Sequence, residues 1–361
     1  MNSVINVVAS NFCLDGEILS ISCYGNGLIN NTYLVVTSKE KYIIQKINKF
    51  VFKKPLDLME NVYLVTKYII KKNGNTLEII KTKQKKLLLE FEDSSYRCYK
   101  MKKDYLSFEF LDSTKRAYDV GLIIGEFQNL LCDFDLTKLH ITIPFFHDLR
   151  HRFIDLVKAY RNCNNSLKKA ITRKYLVYYL KEYKHIMQLP KLYENKNIKQ
   201  RVCHYDTKLN NFLFSSISGN CLIDLDTVMP GCSLYDFGDC ARGIISNVLE
   251  DDYKAPIIIN KDVFINLTLG YLWVGKNYLN KMEINMLVQS IKVITLELSI
   301  RFLTDYLDNN VYFKIKYENQ NLHRAITQLN IYKKIKEEER ILEKIVKNIY
   351  KRLITMWLNI W

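Results

Sequence analysis

The hydrophobic rhythm of this chain changes near residue 104, and no other feature restricts the possible fold as much. Ahead of that point lie short apolar and β-branched runs. Residues 17–23, 32–36 and 42–45 read as strands, and Gly25-Asn-Gly27 reads as the turn after the first of them. One helical stretch interrupts them at 55–71. Pro55 suits its first turn, and Leu58, Val62, Val65 and Ile69 recur at helical spacing. Two further strands are expected near 77–91 and 96–103, with a lysine-rich turn between them.

Beyond residue 104 the period is helical. Residues 116–132 place Val120, Ile123, Ile124, Phe127 and Leu131 on one face, and 148–162 and 166–188 continue the pattern. Residues 202–228 form a β-rich island. From 262 onward helix prevails, with a break at 308–314. The last thirty residues carry Ile335, Leu342, Ile345, Ile349, Leu353 and Trp357 among lysines and glutamates. A membrane or a partner would take such a stripe, but closure of the core by a terminal helix is the expectation. The order implies an α+β, bilobal, protein-kinase-like fold. A small β-rich N-lobe with one main helix spans 1–103, and a larger, mostly helical C-lobe spans 104–361. A cleft between such lobes is a common place for a ligand.

Composition narrows the classes of function. With 361 residues the chain is long enough for two lobes. Its 53 Lys+Arg against 38 Asp+Glu give a net charge of +15, but the lysines are spread and no Arg-rich tract occurs. A solvated basic surface that also suits an anionic nucleotide is expected rather than a nucleic-acid partner. Nine cysteines without a Cys-x-x-Cys pair argue against a disulfide framework or a zinc site and for a reducing cytosol. No apolar run reaches membrane-spanning length, and the first residues lack the pattern of a signal peptide. A cytoplasmic enzyme without a membrane partner is expected.

The chemistry concentrates in the β-rich island. Asp206 sits in a polar loop between His204 and Lys208, five residues before Asn211. A short gap later the apolar pair Leu222-Ile223 leads to Asp224. A carboxylate in a loop can accept a hydroxyl proton and aim the oxygen, and an amide followed by a second carboxylate supplies hard oxygen ligands for Mg²⁺. A hairpin through 215–220 would carry Asn211 and Asp224 side by side. Asp226, two residues on, is a further candidate ligand on the same strand face. His204 is expected to anchor the loop through a hydrogen bond to backbone. Asp236 and Asp239 are expected to cap and brace a helix starting near Cys240.

Several motifs then resemble one family. His204-Tyr-Asp-Thr-Lys-Leu-Asn-Asn211 followed by Ile223-Asp-Leu-Asp-Thr-Val-Met-Pro-Gly231 resembles the aminoglycoside phosphotransferase and choline kinase superfamily, and within it the N-acetylhexosamine 1-kinases. The likeness extends through Ile29-Asn-Asn-Thr-Tyr33, Gln45-Lys-Ile-Asn48, Leu58-Met-Glu-Asn61, Ile143-Pro-Phe-Phe-His-Asp148, Arg301-Phe-Leu-Thr-Asp-Tyr-Leu307 and Asn321-Leu-His-Arg324. It implies an ATP-dependent kinase acting on the anomeric hydroxyl of a hexosamine, with Asp206 as catalytic base and Asn211 and Asp224 as magnesium ligands. It also implies that Arg301 and Tyr312 contact the sugar. Without the resemblance, Arg301 reads as an ion pair with Asp305 one helical turn on. Gly25 and Gly27 would cover the phosphates of ATP, and Lys46 with Glu60 is the candidate strand cation and helix carboxylate behind them, the alternative register pointing Gln45 inward instead.

Two positions depart from the family pattern. Leu28 and Tyr205 stand where relatives tend to have His and Asn, on the acceptor side as the resemblance places it. The implied alternatives are a kinase of another alcohol in the same superfamily (choline, ethanolamine, an aminoglycoside or a different sugar) and a non-catalytic kinase-fold binding protein. Intact Asp206, Asn211 and Asp224 argue against the last.

Overall fold

The computed structural model describes residues 2–25 and 29–358. Along the chain run α1 (Asn2–Ser10), β1 (Ile18–Cys23), β2 (Asn31–Thr37), β3 (Lys41–Lys46), α2 (Pro55–Lys71), β4 (Ile79–Ile80), β5 (Leu89–Phe91) and β6 (Ser94–Lys100). There follow α3 (Thr114–Leu130), α4 (Leu149–Asn162), α5 (Ser166–Ile186), α6 (Gln188–Glu194), β7 (Gln200–Cys203), β8 (Phe212–Leu213), β9 (Cys221–Leu222) and β10 (Met229–Cys232). The rest is α7 (Leu234–Ile244), α8 (Lys261–Gly275), α9 (Lys281–Asn285), α10 (Leu287–Leu307) and α11 (Gln320–Leu358). This is the expected α+β, kinase-like architecture. Two compact units arise from it: Met1–Ser107 with Asp133–Pro144 and Asn211–Pro230, and Phe108–Cys132 with Phe145–Asn210 and Gly231–Trp361.

The first unit is built on an antiparallel sheet in the order β1-β2-β3-β6-β4, with β5 also paired to β6. Successive strand side chains point to opposite faces, and that alternation sorts the residues. Tyr42, Ile44, Tyr96 and Cys98 pack with Ile5, Val8 and Ala9 of α1 on one face. Gln45 and Arg97, paired directly across β3 and β6, belong to the other face, where Met59 of α2 lies 3.8 Å from the Arg97 guanidinium. Helix α2 matches the expected 55–71, and Leu58, Val62, Val65 and Ile69 are buried. Helix α1 escapes a sequence reading because its β-branched run has weak helical propensity; burial of Ile5, Val8 and Ala9 decides it. The run expected as one strand at 77–91 is broken. The lysine-rich turn falls inside it, closed by Thr82 N–H to the Lys86 carbonyl at 2.9 Å.

The second unit is helical. Helices α3 and α8 pack with their backbones close together: a Cβ on Gly121 would lie 2.1 Å from the Leu267 carbonyl oxygen. Helix α10 is buried from Leu287 through Ile300, so its polar residues must find partners inside the protein. On α11, Ile335, Leu342, Ile349 and Leu353 are buried, and the helix packs on α8, α9 and α10. The terminal stripe therefore closes the core of this unit. Among the described residues no helix is long and apolar enough to cross a membrane.

Candidate active site

The loop that carries Asp206 is held by buried side chains of its own unit. Asp236 accepts the backbone N–H of His204 at 3.0 Å and of Tyr205 at 2.8 Å, and an amide N–H of Gln128 at 3.0 Å. Asp239 accepts the Thr207 N–H at 2.9 Å and the Arg242 guanidinium at 2.6 Å. The Thr207 hydroxyl donates to the Asp236 carbonyl at 2.6 Å. These two aspartates thus differ from the expectation. Helix α7 begins at Leu234 rather than near Cys240, and its first turns aim both carboxylates at the loop. Burial pushes the Asp236 carboxyl up, against the lowering effect of His204 and the N–H groups it accepts. Burial acts the same way on Asp239, but Arg242 and His147 outweigh it and hold the carboxyl below the ordinary value.

Within the loop, His204 Nδ1 accepts the Asp206 N–H at 3.2 Å, the anchoring role expected for it. The Lys208 ammonium donates to the Asp206 carboxylate at 2.6 Å, and the Asp206 side chain keeps 30% of its surface exposed. Tyr205, expected on the acceptor side, packs its ring 5.8 Å from that of Phe146. It is buried with a left-handed backbone (φ +66°), and its hydroxyl fills the space a Cβ on Gly231 would need. Its carbonyl oxygen meets His147 Nε2 at 3.2 Å. His147 in turn pairs with the buried Glu297 of α10.

In the first unit, β8 and β9 form the expected hairpin, and the Ile223 N–H donates to the Asn211 carbonyl at 2.9 Å. Asn211 and Asp224 are thereby brought to the end of one ladder. Asp224 adopts a left-handed conformation (φ +62°), and a single 3₁₀ turn, Leu225–Thr227, follows at once. That kink ends the strand alternation on which a ligand role for Asp226 rested. Asp226 turns inward instead. Its carboxylate takes a two-pronged ion pair from Arg97 and the Asn30 amide at 2.9 Å, so both oxygens are committed. Burial works against the Arg97 charge, but Asp226 outweighs it and raises the pKa. Asn211 and Asp224 together offer an amide oxygen and a carboxylate oxygen, a hard donor set that fits Mg²⁺.

The nucleotide-side candidates fare differently. Gly25 has φ +69°, as a tight turn needs, while Gly27 and Leu28 lie outside the described residues. Lys46 and Glu60 do not form a pair. Lys46 has the pleat parity of Tyr42 and Ile44, on the α1 side of the sheet, whereas α2 lies on the side of Gln45 and Arg97. Glu60 meets His140 Nε2 at 2.7 Å. The buried cation of this sheet is Arg97, which also donates to the Gln45 amide oxygen at 2.8 Å.

Arg301 and Tyr312 are brought together in the second unit. The Arg301 guanidinium lies 5.8 Å from the Tyr312 ring centroid, 5.6 Å from Phe146 and 5.4 Å from Phe313. Its charge faces Glu297 at 3.9 Å, not Asp305. Asp305 is occupied by the N–H groups of Tyr312 and Phe313, at 2.8 and 2.9 Å, and by the Asn321 amide. It thus shapes the loop that presents the exposed Tyr312.

A family model described as the phosphotransferase enzyme family matches residues 20–256. The chain belongs to that family. Solved structures share its fold. A microcompartment-associated aminopropanol kinase is 12% identical with a TM-score of 0.64, covering 95% of this chain and 99% of that one. An ethanolamine kinase of Plasmodium vivax is 14% identical with a TM-score of 0.60, covering 88% and 84%. An amicoumacin kinase in complex with AMP-PNP and Ca²⁺ is 10% identical with a TM-score of 0.59, covering 93% of each. As a member of the phosphotransferase enzyme family, the chain is a phosphotransferase.

Four residues of this family member were not singled out for these contacts by their local sequence: Arg97, His147, Glu297 and the loop-bracing Asp236. A signal existed for two. Arg97 interrupts an aromatic strand run, and Glu297 interrupts an apolar helical run. A charge placed so must be paired when buried.

Proposed function

We propose that the chain is an ATP-dependent kinase that transfers the γ-phosphate to the anomeric hydroxyl of a hexosamine-type sugar, giving a sugar 1-phosphate. The observation that carries the acceptor class is the position of Arg301. A cluster of aromatic rings is what an amino-alcohol cation seeks. Here Phe146, Tyr312 and Phe313 already surround a guanidinium of the chain itself. A second cation there is repelled, whereas the guanidinium N–H groups suit hydroxyl or acetamido oxygens. The Tyr312 ring offers a sugar an apolar face and a hydroxyl.

In this reading Asp206 accepts the hydroxyl proton and aims the oxygen at the phosphorus. Asn211 and Asp224 hold Mg²⁺, which when bound neutralises charge on the transferring group. The neighbour named for AMP-PNP and Ca²⁺ supports a nucleotide with a divalent ion. Residues 1–103 serve the nucleotide, with Gly25 and Gly27 over its phosphates, and a cytoplasmic setting without a nucleic-acid partner completes the proposal.

Neighbours named as ethanolamine and aminopropanol kinases favour a second reading, an amino-alcohol acceptor. One assay separates the two. The protein is incubated with ATP, Mg²⁺ and a panel of free hexoses, N-acetylhexosamines, choline, ethanolamine and an aminoglycoside, and the product is identified by phosphorus NMR. Turnover of a free sugar but not of its methyl glycoside, with an anomeric phosphate signal, is the expected result. Turnover of amino alcohols alone would sink the sugar reading.

A further inference from the structure

Both ring nitrogens of His147 face acceptors. Nδ1 meets the Glu297 carboxylate, and Nε2 meets the carbonyl oxygen of Tyr205 at 3.2 Å. A neutral imidazole has one N–H and serves one of these; only the imidazolium donates to both. We propose that His147 is a positioning residue of the catalytic loop, held as an imidazolium by Glu297 and donating its second N–H to the carbonyl just before Asp206. The role rests on the reading of Asp206 as the base.

The peptide group between Tyr205 and Asp206 is bonded at both ends by imidazoles. His147 donates to its carbonyl, and His204 Nδ1 accepts its N–H at 3.2 Å. Asp236 holds the other side of Tyr205 through its N–H. The left-handed backbone of Tyr205 is an uncommon one for a bulky residue, and it persists where surrounding bonds enforce it. Removing the Nε2–H leaves a bare nitrogen against a carbonyl oxygen. That frees the peptide plane from which the Asp206 side chain is aimed.

The charged and titratable groups around the ring favour the imidazolium. Glu297 and Arg301 face it from α10, Asp239 and Tyr235 from α7, and Tyr205 from the loop; Arg152 of α4 reaches Glu297 at 3.4 Å. Burial alone would push the imidazole down. Glu297 and then Asp239 outweigh burial and Arg301, and the pKa stands above the ordinary histidine value. Deprotonation at alkaline pH should therefore slow turnover without weakening ATP binding.

The test uses the full chain labelled with ¹⁵N. Imidazole NMR at pH 7 is expected to show His147 protonated at both nitrogens, with His147→Gln giving the assignment. On raising the pH, kcat should fall along the same titration, with KM for ATP unchanged. The rate is read with the sugar turned over in the panel, or with transfer from ATP to water if no sugar is. His147→Gln should lose roughly 100-fold in kcat, the scale of a misplaced catalytic group, and lose the alkaline limb. Glu297→Gln should move the imidazole titration and the alkaline limb of kcat to lower pH together. A single N–H on His147 at pH 7, or a kcat profile indifferent to its titration, overturns the proposal. Both of those readouts come from the unsubstituted protein, so a variant that fails to fold does not remove the test. Asp206→Asn should leave the His147 titration in place, so a failure of the base assignment is seen separately.

Discussion

Arg97 closes a two-pronged ion pair on Asp226, 129 residues further along the chain, with one prong at 2.8 Å. The side chains are 1% and 7% exposed. Removing one partner strands a buried charge, which costs about 3–5 kcal/mol, whereas replacing both with apolar groups is often neutral. Arg97→Met is therefore expected to lower the midpoint of urea unfolding strongly. Arg97→Met with Asp226→Leu should recover most of the loss. Equal loss in the single and double variants would show that the pair is not the source.

Asp206→Asn keeps the shape of the side chain and removes its basicity. We expect kcat to fall roughly 10²- to 10⁴-fold, the scale of a positioned base, with little change in ATP affinity. Steady-state kinetics together with calorimetric nucleotide binding check this. An unaltered rate would take Asp206 out of the role.

Asp224 needs a substitution that respects its backbone. Its φ of +62° is tolerated by Asn, so Asp224→Asn removes the charge with little added strain. Mg²⁺-dependent strengthening of ATP binding should disappear in this variant, as followed by titrating Mg²⁺ at fixed nucleotide. Retained Mg²⁺ dependence would place the ion on other residues.

Gly231 tests the seating of Tyr205. A Cβ there would lie 1.5 Å from the Tyr205 hydroxyl oxygen, so Gly231→Ala must displace the ring and with it the loop. Overpacking of this kind costs about 1–3 kcal/mol. Turnover should fall more than ten-fold, the effect of slight misplacement of a catalytic group. Adding Tyr205→Leu, which vacates the space, should restore part of the stability in thermal melts. No loss in the single variant would mean that the ring moves freely.

Glu297 makes acid stability measurable. Burial would raise its carboxyl, but His147, then Arg301 and Arg152, bring it from the ordinary 4.5 down to about 2. A depressed acid contributes its stabilisation above pH 4.5 and loses it as the pH falls toward 2. His147 has the opposite sign: its raised value contributes below the ordinary 6.5 and is lost as the pH rises through the folded value. Melting temperatures across this range should therefore fall on the acid side more steeply for the unsubstituted protein than for Glu297→Gln. Parallel curves would remove the pair as a contributor.

Much of the fold was legible in local spacing. Helix α2 follows from Pro55 and four apolar residues at helical intervals, and the hairpin β8–β9 from two apolar runs around a polar turn. Within the candidate site, the pairing of Asn211 with Asp224 at the end of one hairpin was legible, because the two lie thirteen residues apart around a polar turn. The site was misread where a partner lies on a distant element. Lys46 looked suited to pair with Glu60 until the pleat placed it on the other face of the sheet from α2. Asp226 looked like a metal ligand until the backbone turned at Asp224 and Arg97 took both its oxygens.

By itself, then, the sequence determined most of the order of elements, because strand and helix periods depend on neighbours two to four residues apart. Only the tertiary structure decided which buried charges meet. His147 faces two acceptors because α10 brings Glu297 to one nitrogen while the loop brings the Tyr205 carbonyl to the other. Those partners are 150 and 58 residues away along the chain. No periodicity encodes such a pairing; the burial of an ionisable side chain, and the need to satisfy it, does.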